Sequence, residues 1–144
     1  DLRKDEPYSV YPEMEFDIPV GQAYGNGTLG SCFDRYVVRI EEIRQCIKIL
    51  RQCLEKLPEG EYKAKVPRNL KPPEGEIYCR TEAPRGEVGF YVVSNGTNKP
   101  ERVKIRTSSF ASMSIIRELS RGWMIADLVA IIGSLDIVAP EIDR

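Results

Sequence analysis

Between positions 33 and 57 apolar side chains recur at intervals of three and four: Val37, Ile40, Ile43, Ile47, Leu50, Leu54 and Leu57. At 3.6 residues per turn this spacing draws one continuous stripe along an amphipathic helix. Cys46 and Cys53 widen the stripe. Ser31, with Asp34 three residues on, suits an N-cap followed by an acid in the first turn, where it favours the helix dipole. Pro58 and Gly60 stop the helix. A stripe of this length needs a partner surface, and if left bare it favours self-association.

The rest of the chain reads as arm, sheet and short helices. Pro7, Pro12 and Pro19 forbid a long helix over residues 1–30, which are expected to form an extended arm with a short strand near 14–18. Gly21, Gly25, Gly27 and Gly30 make a loop. It lacks the lysine and the preceding strand of a phosphate-binding loop, so a plain connector is favoured. Residues 61–75 are a Lys- and Pro-rich connector. Alternation over 76–82, a β-rich run over 87–94, and Val103 and Ile105 among Arg102, Lys104 and Arg106 predict a three-stranded antiparallel sheet within 76–107. Asn95-Gly96 predicts a two-residue type I′ turn, which needs positive φ at both positions. Ser108 or Ser109 is expected to cap a helix running to about Leu119. A second, apolar helix over 123–132 is expected in the core. Its one charge, Asp127, then requires a basic or hydrogen-bond-donor partner. The fold class is α+β: a single domain over 1–144 with one long amphipathic helix, a small three-stranded antiparallel sheet and two short C-terminal helices.

Composition removes several functions. A domain of 144 residues can bury roughly 68–70% of its unfolded surface, and 42% hydrophobic with 30% charged residues suits a globular chain. A net charge of -1, with acids interleaved among the bases, argues against nucleic acid. Without histidine the chain has no neutral-pH proton shuttle and no Ser-His or Cys-His nucleophile. Cys32, Cys46, Cys53 and Cys79 form no C-x-x-C pair, so no zinc or cluster site is expected. Cys46 and Cys53 would stand roughly 10 Å apart on a helix, beyond disulfide reach. Reduced, buried cysteines are therefore favoured over a disulfide. Asn26-Gly-Thr28 and Asn95-Gly-Thr97 read as turns rather than glycosylation sites. No stretch reads as a signal peptide, and none approaches the ~20 apolar residues of a membrane span. Any membrane association is expected only through partners.

The last nine residues, Asp136-Ile-Val-Ala-Pro-Glu-Ile-Asp-Arg144, look like a metal-binding tail without its ligands. Large subunits of nickel-iron hydrogenases end in Asp-Pro-Cys-x-x-Cys-x-x-His. On that frame Val138 and Glu141 take the two cysteine positions and Arg144 that of the histidine. Valine has no donor atom, and arginine stays protonated and repels a cation. Gly30-Ser-Cys-Phe-Asp-Arg-Tyr36 with Arg39, Glu42, Arg44 and Gln45 is similar to the Gly-Asp-x-Tyr-Asp-Arg-Tyr helix of one family. Glu82-Ala-Pro-Arg-Gly-Glu87 and Ser94-Asn-Gly96 match its hairpin. Ala126 to Gly133 lead into the tail as they do there. Asp1 to Lys4, Pro7-Tyr8 and Phe16 to Gly21 look like its entry to the C-terminal half. In order and spacing the chain resembles the hydrogenase-like large-subunit family of respiratory complex I, the D or 49 kDa type. Ser31 departs from a usual aspartate, Gln22 to Leu29 is longer than in most members, and Gly60 to Glu76 is shorter. Members are longer, and the resemblance implies an excised C-terminal fragment.

The resemblance implies the C-terminal part of a nickel-iron-hydrogenase-like fold. In this family the former metal cavity belongs to the quinone site, so Asp136, Val138 and Arg144 are expected at that cavity. A salt bridge fixing the tail is the equal alternative for Asp136 and Arg144. Asp34, Arg35, Arg39 and Glu42 are expected in a polar network packed against the N-terminal half that the longer members carry, with a solvated face of ion pairs as the alternative. No residue of this chain is expected to be catalytic or to hold a metal or cofactor. Quinone, NADH and iron-sulfur clusters belong to the complex, the latter two on neighbouring subunits. The implied partners are the cluster-bearing B-type subunit, the C-type subunit and quinone. The implied place is peripheral, on the cytoplasmic side of the inner membrane, in proton-translocating NADH-quinone oxidoreduction, with the fragment alone inactive. An energy-converting hydrogenase should keep Cys at 138 and 141. A non-enzymatic interaction module on the same scaffold is the third reading.

Overall fold

The computed structural model describes residues 1–143. The predicted long helix is present as α2, Cys32–Glu55, and Ser31 caps it by accepting from Asp34 N at 3.1 Å. A short helix α1, Leu2–Asp5, and two 3-10 turns at Tyr11–Glu13 and Tyr24–Asn26 precede it. Residues 14–18 form no strand, contrary to expectation. They lie extended along α2, and side chains of the helix serve their backbone in place of a neighbouring strand. Asp17 N donates to Gln45 Oε1 at 3.0 Å and Glu15 N to Gln52 Oε1 at 2.9 Å. Gln52 Nε2 returns a bond to the Glu15 carbonyl at 2.7 Å, and Lys56 Nζ reaches the Glu13 carbonyl at 2.9 Å.

This arm decides which face of α2 is covered. Met14, Phe16 and Ile49 form a buried cluster, with Tyr11 and Cys53 packed against it. Most of the stripe read from the sequence faces outward: Ile43, Ile47, Leu50, Leu54 and Leu57 are exposed, while Val37 and Ile40 are half-buried. All four cysteines are free, as expected, but Cys46 and Cys79 are exposed and Cys32 and Cys53 only half-buried, which corrects their placement in the core.

Strands β1 (Gly75–Ala83), β2 (Gly86–Ser94) and β3 (Arg102–Arg106) pair antiparallel in the order β1-β2-β3. The tight turn lies at Pro84-Arg85, between the paired residues Ala83 and Gly86. Gly86 has φ 115°, which favours glycine there. Asn95-Gly96 is not the expected type I′ turn. Gly96 alone of the two has positive φ, and β3 pairs with β2 only from Arg102. Asn95 Oδ1 instead accepts from Thr97 N at 3.2 Å, a local bond that starts a longer loop. Pro100, with no N–H, cannot extend the ladder.

Four short helices close the chain where two were expected: α3 (Ser108–Met113), α4 (Ile116–Leu119), α5 (Ile125–Ser134) and α6 (Ala139–Ile142). The helix predicted from Ser108 to Leu119 breaks at Ser114, whose amide and hydroxyl both turn back to the Ala111 carbonyl. Neither Ser108 nor Ser109 caps α3. The position before it is Thr107, whose hydroxyl donates to the Glu141 carbonyl at 2.6 Å. The apolar helix α5 is not a core helix here: Ile125 and Val129 are exposed, as is Trp123 just before it, and Ile131 is its buried apolar residue. Among the described residues no helix is long and apolar enough to cross a membrane.

Asp127 has the donor partner that was expected, though as a half-buried cap rather than a core ion: Met124 N donates to Asp127 Oδ2 at 3.0 Å. Asp127→Ala is expected to cost roughly 0.5–2 kcal/mol. It should show as a lower urea midpoint at constant slope; an unmoved midpoint would mean that this cap does not stabilise α5.

Candidate functional site

The N-terminal half of α2, the β1–β2 turn and the start of the tail enclose a cleft of about 850 Å³. Its wall from α2 carries Asp34, Arg35, Arg39 and Glu42, the hairpin adds Glu82 and Arg85, and the tail adds Asp136. Leu29, Val38 and Ile43 supply apolar surface between them.

Asp34 is the most buried charged residue described, at 1% exposure. Its carboxylate faces the glycine loop. It accepts from Gly30 N at 2.8 Å, Gln22 N at 3.1 Å and Tyr24 N at 3.2 Å. The Gly30 N–H, then those of Tyr24, Gln22 and Ala23, hold its carboxyl below the usual aspartate value despite the opposing effect of burial. Gly21 packs so close that an added Cβ would collide with Asp34 Oδ2, so this loop position needs glycine for space.

Arg35 turns the other way. Its guanidinium donates to the Gly30 carbonyl and to Ser134 Oγ, the latter at 3.0 Å from Nε and 2.8 Å from Nη2, tying α2 to α5. Arg39 Nη1 donates to the Arg35 carbonyl at 3.1 Å. Burial raises the Glu42 carboxyl above its ordinary value; Arg39 and Arg3 pull it back and Glu82 adds to the rise. Among the described residues none of Asp34, Arg35, Arg39 and Glu42 forms an ion pair with another. The arrangement is a set of separate ties on one cleft wall rather than a ladder of i,i+4 pairs.

Of the tail positions singled out by sequence, Asp136 lines the cleft and Val138 is not among its lining residues. Val138 is half-buried, and its N–H donates to Ser109 Oγ at 3.3 Å. Arg144 lies outside the described residues. The ion-pair partner of Asp136 among the described residues is Arg85, with Nε 3.4 Å from Asp136 Oδ2. Arg85, Ser109 and Glu141 were not marked as site residues by the sequence. A charged residue at the tip of a two-residue turn was the available signal for Arg85.

The profile of the respiratory-chain NADH dehydrogenase 49 kDa subunit family matches residues 1–72 and 65–144. The chain belongs to this family. Similar proteins include the second D-type subunit of NADH-quinone oxidoreductase from Anaeromyxobacter dehalogenans (strain 2CP-C), 58% identical over 144 residues that make up all of this chain and 38% of the relative. The D-type NADH-quinone oxidoreductase subunit of Dehalococcoides mccartyi (strain ATCC BAA-2266 / KCTC 15142 / 195) is 50% identical over 144 residues, with the same shares. That of Wolbachia sp. subsp. Brugia malayi (strain TRS) is 45% identical over 170 residues, all of this chain and 42% of the relative. The chain thus spans well under half the length of these 49 kDa family relatives.

Proposed function

We propose that this chain forms part of the peripheral arm of a proton-translocating NADH-quinone oxidoreductase, where it walls part of the quinone cavity and meets neighbouring subunits. One observation carries the reading: the 49 kDa family match runs along the whole chain and ends in a tail with Val138 and Glu141 at hydrogenase-ligand positions. The same reading takes the fold as the C-terminal part of a hydrogenase-like large subunit. Its partners are the cluster-bearing B-type subunit and the C-type subunit, on the cytoplasmic side of the inner membrane.

The cleft supports quinone as the substrate. About 850 Å³ falls in the range of small-molecule sites. Arg3 and Arg39 bring donors suited to carbonyl oxygens, and Leu29, Val38 and Ile43 bring apolar surface for a ring or tail. A metal cluster does not fit the residues described. The four cysteines are dispersed, and no group of three or more Cys, Asp or Glu stands close enough to hold a metal ion. In this reading the clusters and the NADH site belong to other subunits, as the family resemblance implies, and this chain supplies walls and contacts. The bare stripe of α2, the exposed Trp123 just before α5 and the exposed Ile125 and Val129 of α5 suit contact surfaces in such an assembly.

The test uses the full-length gene product purified with its partners. Iron without nickel, together with NADH-driven quinone reduction in the same sample, is the expected result. Stoichiometric nickel would mean that hydrogenase chemistry survives and would overturn the reading. Neither metal and no large assembly would leave an interaction module on the same scaffold.

A further inference from the structure

The tail begins in a strained conformation. Asp136 follows α5 with φ 52°, a left-handed setting that a residue with a Cβ enters at a cost. Arg85, 51 residues away at the tip of the β1–β2 turn, reaches it directly. Arg85 Nε donates to the Asp136 carbonyl at 2.8 Å and stands 3.4 Å from its carboxylate, while Nη1 lies 3.7 Å from Glu141 Oε1. The Arg85 side chain is 25% exposed and that of Asp136 44%, so water partly screens this ion pair and the bond to the Asp136 carbonyl is the firmer hold.

A second hold lies beyond Val138. Ser109 is 1% exposed; its hydroxyl donates to the Glu141 carboxylate and accepts from Val138 N at 3.3 Å. Thr107 fixes the Glu141 carbonyl. Glu141 thus connects the two holds, facing Arg85 with one carboxylate oxygen and Ser109 with the other. A planar guanidinium can serve a carbonyl and two carboxylates at once, whereas a lysine ammonium is a single point of charge.

We propose that Arg85 is the positioning residue of the Asp136–Val138 segment: from the hairpin it holds the start of the tail against the cleft and so sets how tightly the cleft binds a quinone headgroup. The kinetic half of this inference rests on the quinone-cavity reading; the positional half does not.

The experiment places Arg85→Ala and Arg85→Lys in the full-length protein within its assembly. Hydrogen exchange is followed by mass spectrometry on the peptide covering 134–143, beside quinone reduction and the reduction of a soluble acceptor that takes electrons before quinone. Arg85→Ala is expected to speed exchange in that peptide about tenfold and to raise the quinone KM about tenfold with kcat within about twofold. Arg85→Lys should restore part of both, and the soluble-acceptor rate should not move. Unchanged exchange in Arg85→Ala overturns the inference. Faster exchange with an unchanged KM keeps Arg85 as the holder of the tail and overturns the quinone-cavity reading instead. If Arg85→Ala does not assemble, Arg85→Gln, which keeps one donor, carries the same test.

Discussion

Phe16→Ala is expected to lower stability by about 3–5 kcal/mol. Phe16 is 4% exposed and sits in a small buried cluster with Met14 and Ile49, against which Tyr11 and Cys53 pack. Removing the ring costs its transfer free energy and leaves a cavity that the neighbours fill only in part. The ring also carries two cations, with Arg3 Cζ 5.0 Å and Lys4 Nζ 4.5 Å from its centre, each worth roughly 0.5–1 kcal/mol. Phe16→Leu keeps most of the apolar volume and should cost only about 1–2 kcal/mol. Urea unfolding measures both variants. Hydrogen exchange at Glu15 and Asp17 measures the consequence, because their amides bond to Gln52 and Gln45 only while the arm is seated. Equal midpoints for Phe16→Ala and wild type would show that the arm contributes nothing to the folded state.

Asp34→Ala is the second large effect, expected to lower the melting temperature by roughly 5–10 °C. The substitution leaves the amides of Gly30, Gln22 and Tyr24 without their acceptor. Asparagine does not rescue the site, because its NH2 must face at least one of these donors. The pH profile separates this role from simple packing. The Asp34 carboxyl titrates below its unfolded value of 3.8. Its stabilisation is therefore complete above that value and is lost as pH falls through the lower folded value. Wild type should lose stability across that acid window and Asp34→Ala should be nearly flat there. Glu42 has the opposite sign: its carboxyl is raised above 4.5, so its contribution is present below 4.5 and is lost as pH rises through the higher folded value. A parallel acid slope in wild type and Asp34→Ala would rule out the carboxylate as the organiser of the glycine loop.

The site was partly legible before folding. The stretch from Gly30 to Glu42 was marked for packing rather than for a cavity, and the folded chain sets its Asp34, Arg35, Arg39 and Glu42 along one cleft with Asp136. What each side chain does there was not readable. Asp34 and Arg35 are adjacent in sequence, yet one serves the loop upstream and the other ties α2 to Ser134. Arg85 went unmarked because its partners are 51 and 56 residues away and no local pattern connects them. Family membership, by contrast, rests on residue identities in order, and these are present in the chain before any fold is considered.

Local spacing was enough for α2, its Ser31 cap and the three strands, because helix and strand periods depend on neighbours within a few positions. Most of the stripe of α2 stands bare, as expected of a helix without its partner surface, but α5 was misjudged, because periodicity says that a surface is apolar, not what covers it. On α2 that was decided by the arm, whose backbone lies along α2 and buries Ile49 while Leu50 and Leu54 stay bare. The setting of the tail was likewise decided by contacts between distant segments. A left-handed Asp136 persists where Arg85 and Ser109 converge on the start of the tail from the hairpin and from α3, and such convergence exists only once the chain has folded.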